Sequence, residues 1–376
     1  MMNKTQVFEV SYNSRLARAL RFINIDPILF LGILLLSAAG LGILYSAGDG
    51  SIELVQKQVV RLSLAFLVMF VVAQIPQRQL YLWSPWFFAL GIILLVLVLA
   101  AGDVGKGAQR WLDLYVVKFQ PSEMMKLITP MMLAWYLSER QLPPRLKSLL
   151  ISAVLVILPT LLIAMQPDLG TSILIAAAGF FVVFLAGIRW RILLGTGIAV
   201  LAFIPVLWRL MHDYQKQRVL TLLNPESDPL GSGYHIIQSK IAIGSGGLYG
   251  KGWLNGTQSQ LDFLPERHTD FIFAVFAEEF GMMGAIVLLS LYLFIILRSL
   301  YIASKAQDSF GRLLAGSLGL TFFVYLFVNV GMVSGILPVV GVPLPLVSYG
   351  GTSMVTLMAG FGMLMSINSN RRLLSR

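Results

Sequence analysis

The sequence has no cysteine among its 376 residues and very little charge, with 12% of positions being Asp, Glu, Lys or Arg. The first absence excludes a disulfide framework, a thiolate metal site and a cysteine nucleophile, and leaves the redox compartment undetermined. The second excludes a soluble surface, because a water-facing protein carries roughly a quarter charged residues. With 57% apolar residues and a mean hydropathy of +0.79, the apolar excess has to face lipid. A soluble enzyme, a fibrous protein and a disordered tail are ruled out together. Lys and Arg number 28 against 18 Asp and Glu, a balance of +10. In a soluble chain that would point to nucleic acid; in a membrane chain it reports cytoplasmic anchoring loops.

Apolar stretches long enough to cross about 30 Å of hydrocarbon recur along almost the whole chain, and about ten are expected. They fall at residues 28–45, 59–75, 82–101, 124–137, 149–164, 172–186, 192–208, 271–300, 313–333 and 353–367. Backbone amides in lipid must be satisfied internally, so these spans are helices, and an outer-membrane barrel would instead show short alternating segments. The first run is too long for the apolar region of a signal peptide and reads as a retained anchor. The expected fold is an all-α polytopic membrane protein of about ten transmembrane helices forming one domain. Its orientation follows from basic residues in every second connection: Lys4, Arg15, Arg18 and Arg21 first, then Arg78, Arg140, Arg145, Lys147, Arg189, Arg191, Arg298, Lys305, Arg312, Arg371, Arg372 and Arg376. Both termini read as cytoplasmic, and the large loop at 209–270, between the seventh and eighth spans, as periplasmic. Its aromatic and aliphatic content argues against disorder, and residues 234–243 suit a short interfacial helix. No internal repeat is evident, which disfavours the commonest transporter architectures.

In a chain this poor in charge each polar cluster needs a reason. Arg110 and Trp111 fit an interfacial anchor. Gln120, Ser122, Glu123 and Lys126 open the fourth span; Glu123 and Lys126 share a helix face and can pair, with Ser122 as a cap. Asp168 is either a helix N-cap or a group that orients a cation or sugar hydroxyl. The glycine-rich run at 244–253 fails as a P-loop: position 245 is Ser where a Gly is required, and Gly252 replaces the magnesium-binding hydroxyl. It remains either an anion-binding loop or a flexible turn. Leu264, Glu266, Arg267, His268, Thr269 and Asp270 lead into an apolar helix that also carries Glu278 and Glu279. Asp270 falls at the outer rim, where partial desolvation raises a carboxylate's basicity, unless it or Thr269 serves as an N-cap. The carboxylates of Glu278 and Glu279 would lie about 12 to 13 Å deeper, and at least one should face another helix. Three prolines at 338–345 prevent a continuous helix and suggest a re-entrant loop beside a site. His212, His235 and His268 lack metal-ligand spacing.

Five motifs together carry a resemblance to a known family: GAQRWL at 107–112, FQPSE at 119–123, QPDLGTS at 166–172, LPERHTDFIFA at 264–274 and PLPLVSYGGTS at 343–353. The chain resembles the SEDS family of bacterial polytopic proteins (shape, elongation, division and sporulation), and ERHTDFIF resembles its elongation branch more than its division branch. The resemblance implies a peptidoglycan glycosyltransferase that polymerises lipid II on the periplasmic face of the inner membrane and releases undecaprenyl pyrophosphate. It also implies a complex with a class B penicillin-binding protein that cross-links the new strand, among other elongation-complex proteins, with no nucleic acid. The family's essential aspartate matches Asp270, and its functional positions match Arg110, Trp111, Gln120, Glu123, Asp168, Arg218, Lys240 and Ser348. Lys126, Glu266 and His268 join the expected substrate-binding set. Chemically, Asp270 would deprotonate an acceptor hydroxyl, while Arg218, Lys240 and Arg110 stabilise charge on a departing diphosphate. A divalent cation, Mg or Mn, could share that task, and the metal requirement is left open. The competing expectations are a lipid-linked precursor flippase, for which Glu278, Glu279 and Lys126 speak, and a non-catalytic scaffold of wall-synthesis enzymes.

Overall fold

The structure, a computed structural model, describes residues 24–105, 108–113, 118–211, 213–228, 231–260, 263–264 and 266–369. The expectations placed on Lys4, Arg15, Arg18, Arg21, His212, Arg371, Arg372 and Arg376 lie outside the described residues. Ten helices occupy the ten intervals expected to span the membrane: α1 (Pro27–Ala47), α2 (Ile52–Ala73), α3 (Gln77–Ala101), α4 (Pro121–Ser138), α5 (Leu146–Ala164), α6 (Leu169–Leu185), α7 (Trp190–Leu210), α11 (Ile272–Lys305), α12 (Ser309–Val333) and α13 (Thr352–Ser369). Six of these, α1, α2, α3, α5, α11 and α12, are long and apolar enough to cross a membrane by length and composition. The all-α expectation holds, with one addition: between α3 and α4 lies a three-stranded antiparallel sheet of β1 (Asp103–Gly105), β2 (Ala108–Asp113) and β3 (Lys118–Phe119).

Local sequence explains where the helices begin. Asp26 caps α1, its Oδ1 accepting from the Leu29 amide at 2.7 Å with Pro27 in the first turn, the arrangement in which a missing proline N–H costs nothing. Asp308 caps α12, accepting from the Gly311 amide at 3.2 Å, and Gln77 at the start of α3 donates to both Asp308 oxygens at 2.8 Å. Arg298 of α11 meets Asp26 through both nitrogens, at 3.1 and 2.6 Å. Asn368 of α13 adds a fourth donor to that carboxylate at 2.8 Å. Because Asp26 is 2% exposed, these bonds compensate its desolvation and tie α1, α11 and α13 together at the end of the bundle opposite the large loop.

α12 forms the middle of the bundle, with 72% of its apolar window buried against 17% for the peripheral α5. It packs on α11 and α6, while α2 packs on α13, α3 on α4 and α1 on α11. Large apolar side chains on the outer faces remain exposed, as on α2, α5 and α7. That is the pattern expected when lipid is the solvent.

The large loop is folded rather than extended. It contains α8 (Asp213–Leu223), a 3₁₀ turn (Pro225–Ser227), α9 (Ser232–Ser245) and α10 (Thr257–Gln260). The short helix expected at 234–243 lies inside α9, which packs against the start of α11. α11 is broken at Gly281, whose φ of 64° and ψ of −164° are non-helical. At the break the loop supplies backbone partners: Lys251 and Gly252 amides donate to the Glu278 and Glu279 carbonyls at 3.1 and 2.9 Å, and Met282 and Met283 amides donate to Gly247 and Leu248 at 2.9 and 3.1 Å. Only glycine tolerates this approach, since a Cβ on Gly250 would stand 2.1 Å from the Glu279 carbonyl oxygen. The glycine-rich run is therefore neither an anion cradle nor a flexible turn. Two of its amides and two of its carbonyls are spent on the broken helix.

The segment between α12 and α13 is non-helical from 334 to 351, with Val342, Leu344, Leu346 and Val347 each no more than 3% exposed. The proline-based expectation of irregular backbone buried in protein is met.

Candidate active site

Residues 266–271 form consecutive turns ahead of α11. The Thr269 amide donates to the Glu266 carbonyl at 3.1 Å, and the Thr269 hydroxyl donates to Glu266 Oε2 at 2.9 Å. The N-cap position of α11 is Phe271, without a side-chain cap bond. Neither Thr269 nor Asp270 caps the helix, and the capping alternative is corrected: the Thr269 hydroxyl folds back on Glu266 and the turn is held from elsewhere.

That hold comes from the irregular segment 335–351 and the helix before it. Asn329 of α12 donates to the carbonyls of Asp270 and Val342, both at 2.8 Å. Ser348 Oγ donates to the Thr269 carbonyl at 2.5 Å and accepts from the Leu344 amide at 2.8 Å. The Tyr349 amide donates to the His268 carbonyl at 2.8 Å. Gln58 of α2 donates to the Ser348 carbonyl at 3.1 Å. Arg267 pairs with Asp49 in the turn between α1 and α2. α12 and the irregular segment thus fix the backbone of the Asp270 turn, Gln58 holds Ser348 and Asp49 holds the Arg267 side chain, while the Asp270 side chain stays partly exposed. A Cβ placed on Gly341 would stand 3.5 Å from Asp270 Oδ2, so the segment passes directly beside the carboxylate. Ser348, expected to touch substrate, is 4% exposed with its hydroxyl committed to backbone groups. It positions the turn, because a hydroxyl already donating and accepting inside protein has little left for a ligand.

A second cluster joins three motifs distant in sequence. Arg110 Nε donates to the Gln166 carbonyl at 3.2 Å, its Nη2 donates to the Pro167 carbonyl, and Nε lies 4.0 Å from Asp168 Oδ2. Gln120 donates to the same Asp168 oxygen at 3.0 Å, and Asp168 Oδ1 accepts from the Thr171 amide at 3.2 Å. Asp168 is therefore both the N-cap of α6 and the acceptor for Gln120. The guanidinium of Arg110 spends two of its five N–H donors on carbonyls, which braces it against the Gln166–Pro167 turn, and its side chain stays 31% exposed. Trp111 beside it is half-buried. Gly170 touches the first cluster's segment, where an added Cβ would stand 2.9 Å from the Val340 carbonyl oxygen.

Glu123 and Lys126 pair at 2.6 Å, as their spacing predicts, with side chains 10% and 5% exposed. The Lys126 ammonium also sits 5.2 Å from the Tyr325 ring centroid. Ser122 does not cap α4. Gln120 holds the N-cap position without a side-chain bond, and the Ser122 hydroxyl is buried with no partner among the described residues. This buried pair faces α12 rather than the Asp270 turn.

Lys240 of α9 is exposed and lies over Gly335, an added Cβ there standing 2.7 Å from its Nζ. This places a cation at one end of the segment whose other end carries Ser348. Glu266 is exposed and His268 half-buried in the Asp270 turn, and Arg218 is half-buried on α8. Glu278, completely buried, does not face lipid or a neighbouring span. It accepts from Lys251 at 2.7 Å, Thr257 at 3.1 Å and the Gln258 amide at 3.0 Å, all in the large loop. Glu279 accepts from Ser46 of α1. His235 stacks on Phe271 with ring centroids 5.5 Å apart. Burial pushes its imidazole below the ordinary histidine value, against the opposing pull of Glu266 and Asp228. Among the described residues no three His, Asp or Glu side chains come together to hold a metal ion.

Sequence reasoning missed Asn329, the Arg267–Asp49 pair and Arg61, a cation inside the second span that stacks on Tyr349. An ionisable residue within an apolar run is itself a signal, and Arg61 was legible on that ground. Asn329 was not, because a single amide in an apolar helix has many uses.

Comparison with known proteins agrees with this arrangement. The model of the cell cycle protein family that comprises FtsW, RodA and SpoVE matches residues 18–373. The chain is 57% identical over 355 residues to the peptidoglycan glycosyltransferase MrdB of Escherichia coli K12, covering 94% of this chain and 96% of that one. Among solved structures, a chain of a peptidoglycan synthase complex, described as coordinating polymerization and crosslinking, superposes with a TM-score of 0.81 at 31% identity, covering 93% of this chain and 98% of the other. The rod shape determining protein RodA of Thermus thermophilus superposes with a TM-score of 0.70 at 29% identity, covering 92% and 97%. From the motifs, the ten-helix architecture and these matches, the chain belongs to the FtsW, RodA and SpoVE family of polytopic membrane proteins.

Proposed function

We propose that this protein is the peptidoglycan glycosyltransferase of cell elongation, joining lipid II units into glycan strands at the periplasmic face of the inner membrane. The observation that carries the reading is the Asp270 turn, which holds a partly exposed carboxylate on a backbone fixed by Asn329, Ser348 and Tyr349. Such fixing holds a base in place before substrate arrives. In the reaction, the acceptor sugar's 4-hydroxyl attacks the anomeric carbon of the donor. The bond from that carbon to the diphosphate oxygen breaks, and undecaprenyl pyrophosphate leaves as an anion. The hydroxyl proton passes to Asp270. The leaving group needs no acid, so one carboxylate suffices, whereas a hydrolytic glycosidase uses two. Lys240 and Arg218 supply positive charge for the departing diphosphate. Trp111, Glu266 and His268 contact the sugars, and Arg110, Gln120 and Asp168 brace the floor on which the substrate lies. Glu123 and Lys126 act from the bundle interior.

The basic residues at the opposite helix ends support a periplasmic placement of the loop and cytoplasmic termini. The likeness to a chain from a synthase complex supports a class B penicillin-binding protein as cross-linking partner. The flippase reading drew on Lys126, Glu278 and Glu279, and each of these has a partner inside the protein. The test uses purified protein with lipid II, with and without the penicillin-binding partner, assayed for glycan chains. Glycan chains from the wild type and none from Asp270→Asn are expected. Unchanged chain formation in Asp270→Asn removes Asp270 from the mechanism, and no chains under any condition favours transport or a scaffold.

A further inference from the structure

Arg61 stands nine residues into α2 from Ile52, about 13 Å along the helix axis. A guanidinium at that depth is costly unless something uses it. Among the described residues it has no hydrogen-bond or carboxylate partner; its contact is the Tyr349 ring, with Cζ 4.3 Å from the centroid. The nearest acid on its own helix, Glu53, pairs with Lys57 at 2.5 Å, which leaves Arg61 uncompensated.

Its surroundings are those of the active site. Tyr349 is bonded through its amide to His268, two residues before Asp270. Gln58, one turn above Arg61 and 2% exposed, holds the Ser348 carbonyl. On the other side the chain is Gly350-Gly351. A Cβ on Gly351 would lie 3.6 Å from Arg61 Cδ, and one on Gly350 would meet no atom within 4 Å. A half-buried, unpaired cation thus borders open space beside the Asp270 turn, on the face of α2 that also carries Lys57.

We propose that Arg61 binds the diphosphate of the lipid-linked substrate, entering from the bilayer side while the sugars lie against the Asp270 turn. The proposal rests on the glycosyltransferase reading above and adds to it a phosphate-binding residue that the motifs did not contain. Arginine suits the task because its planar fork can meet a phosphate with two hydrogen bonds. Stacking on Tyr349 orients that fork without consuming its hydrogens. Other anionic lipids carry the same phosphate chemistry, so the test has to separate the two sources.

The full-length protein in phosphatidylcholine nanodiscs is compared as wild type, Arg61→Lys, Arg61→Met and Asp270→Asn. Polymerisation kinetics with lipid II are read beside binding of undecaprenyl pyrophosphate and of phosphatidylglycerol by native mass spectrometry. Loss of a charge-assisted bond predicts a KM for lipid II raised about ten-fold or more in Arg61→Met, with kcat changed less than about three-fold. Undecaprenyl pyrophosphate binding should weaken in step, and Arg61→Lys should recover part of both. Asp270→Asn should lose turnover and keep undecaprenyl pyrophosphate binding. An unchanged KM and unchanged binding in Arg61→Met overturn the proposal, as does weakened phosphatidylglycerol binding alone, which would make this a bulk-lipid contact. A fall in kcat at constant KM that tracks thermal stability makes Arg61 a packing residue and also overturns it. Should Asp270→Asn retain full turnover, the catalytic assignment fails while the Arg61 binding result still stands or falls by itself.

Discussion

The side-chain amide of Asn329 bridges the carbonyl oxygens of Asp270 and Val342, 2.8 Å from each. One buried side chain of the central helix thereby sets the distance between the turn that carries the carboxylate and the irregular segment that runs beside it. Two donors on one nitrogen are required, and among apolar-sized side chains only an amide supplies them in that geometry.

Asn329→Leu removes both donors and strands two buried carbonyls, at a cost of about 1–3 kcal/mol each. Glycan polymerisation by the purified protein should fall at least about ten-fold, chiefly in kcat, since the turn moves while the bracing cluster at Asp168 stays. Steady-state kinetics with lipid II check it. An unaltered kcat would mean that the turn holds its place without this bridge.

The pair between Lys251 and Glu278 fastens the large loop to the broken helix, with Glu278 fully buried and the Lys251 side chain 28% exposed. Removing one partner of a buried pair is worse than removing both. Lys251→Met should lower the thermal midpoint in detergent by about 5 °C or more and open residues 244–260 to protease. Lys251→Met combined with Glu278→Gln should recover most of the loss. Equal or additive destabilisation in the double variant argues that the two side chains are not coupled.

Gly250 and Gly244 lie in the same glycine-rich run but in different surroundings. A Cβ on Gly250, at φ +78°, would collide with the Glu279 backbone, whereas one on Gly244 meets no atom within 4 Å. Gly250→Ala is expected to abolish accumulation of folded protein and Gly244→Ala to leave it unchanged, as read by size-exclusion chromatography. If the run bound an anion through its amides instead, both variants would fold and lose activity alike.

Burial of His235 against Phe271 favours the neutral imidazole, with its pKa below the ordinary 6.5. The folded state therefore binds fewer protons at this site than the unfolded one. The stability contributed by neutral His235 is fully present above pH 6.5 and is lost as the pH falls through and below that value. Thermal melts of wild type and His235→Gln from about pH 7.5 down to 5.5 should show a steeper loss for the wild type. Parallel curves would assign the acid sensitivity to other groups.

The membrane class and the ten helices were legible because lipid imposes a one-dimensional rule: a span of apolar residues must be helical wherever it falls in the chain. The Glu123–Lys126 pair and the Asp168 cap were legible for a similar reason, being local to one helix turn. The five motifs likewise identified the family. Residue spacing could not say that Ser348 would spend its hydroxyl on Thr269 and Leu344, or that Arg110 would face two carbonyls. The Ser348–Thr269 and Arg110 contacts cross 79 and 56 to 57 residues of sequence, and the Ser348–Leu344 bond depends on an irregular backbone that only packing sets.

The sequence by itself determined the solvent, the helix count and the Asp168 cap, since composition, period and capping act within a few residues. Only the tertiary structure decided that the glycine-rich run splints a break at Gly281, that Asn329 anchors the Asp270 turn and that Arg61 reaches the same place from another helix. Those outcomes depend on which backbone groups remain unpaired once the helices have packed, and a buried polar group takes whichever partner the packing brings within reach.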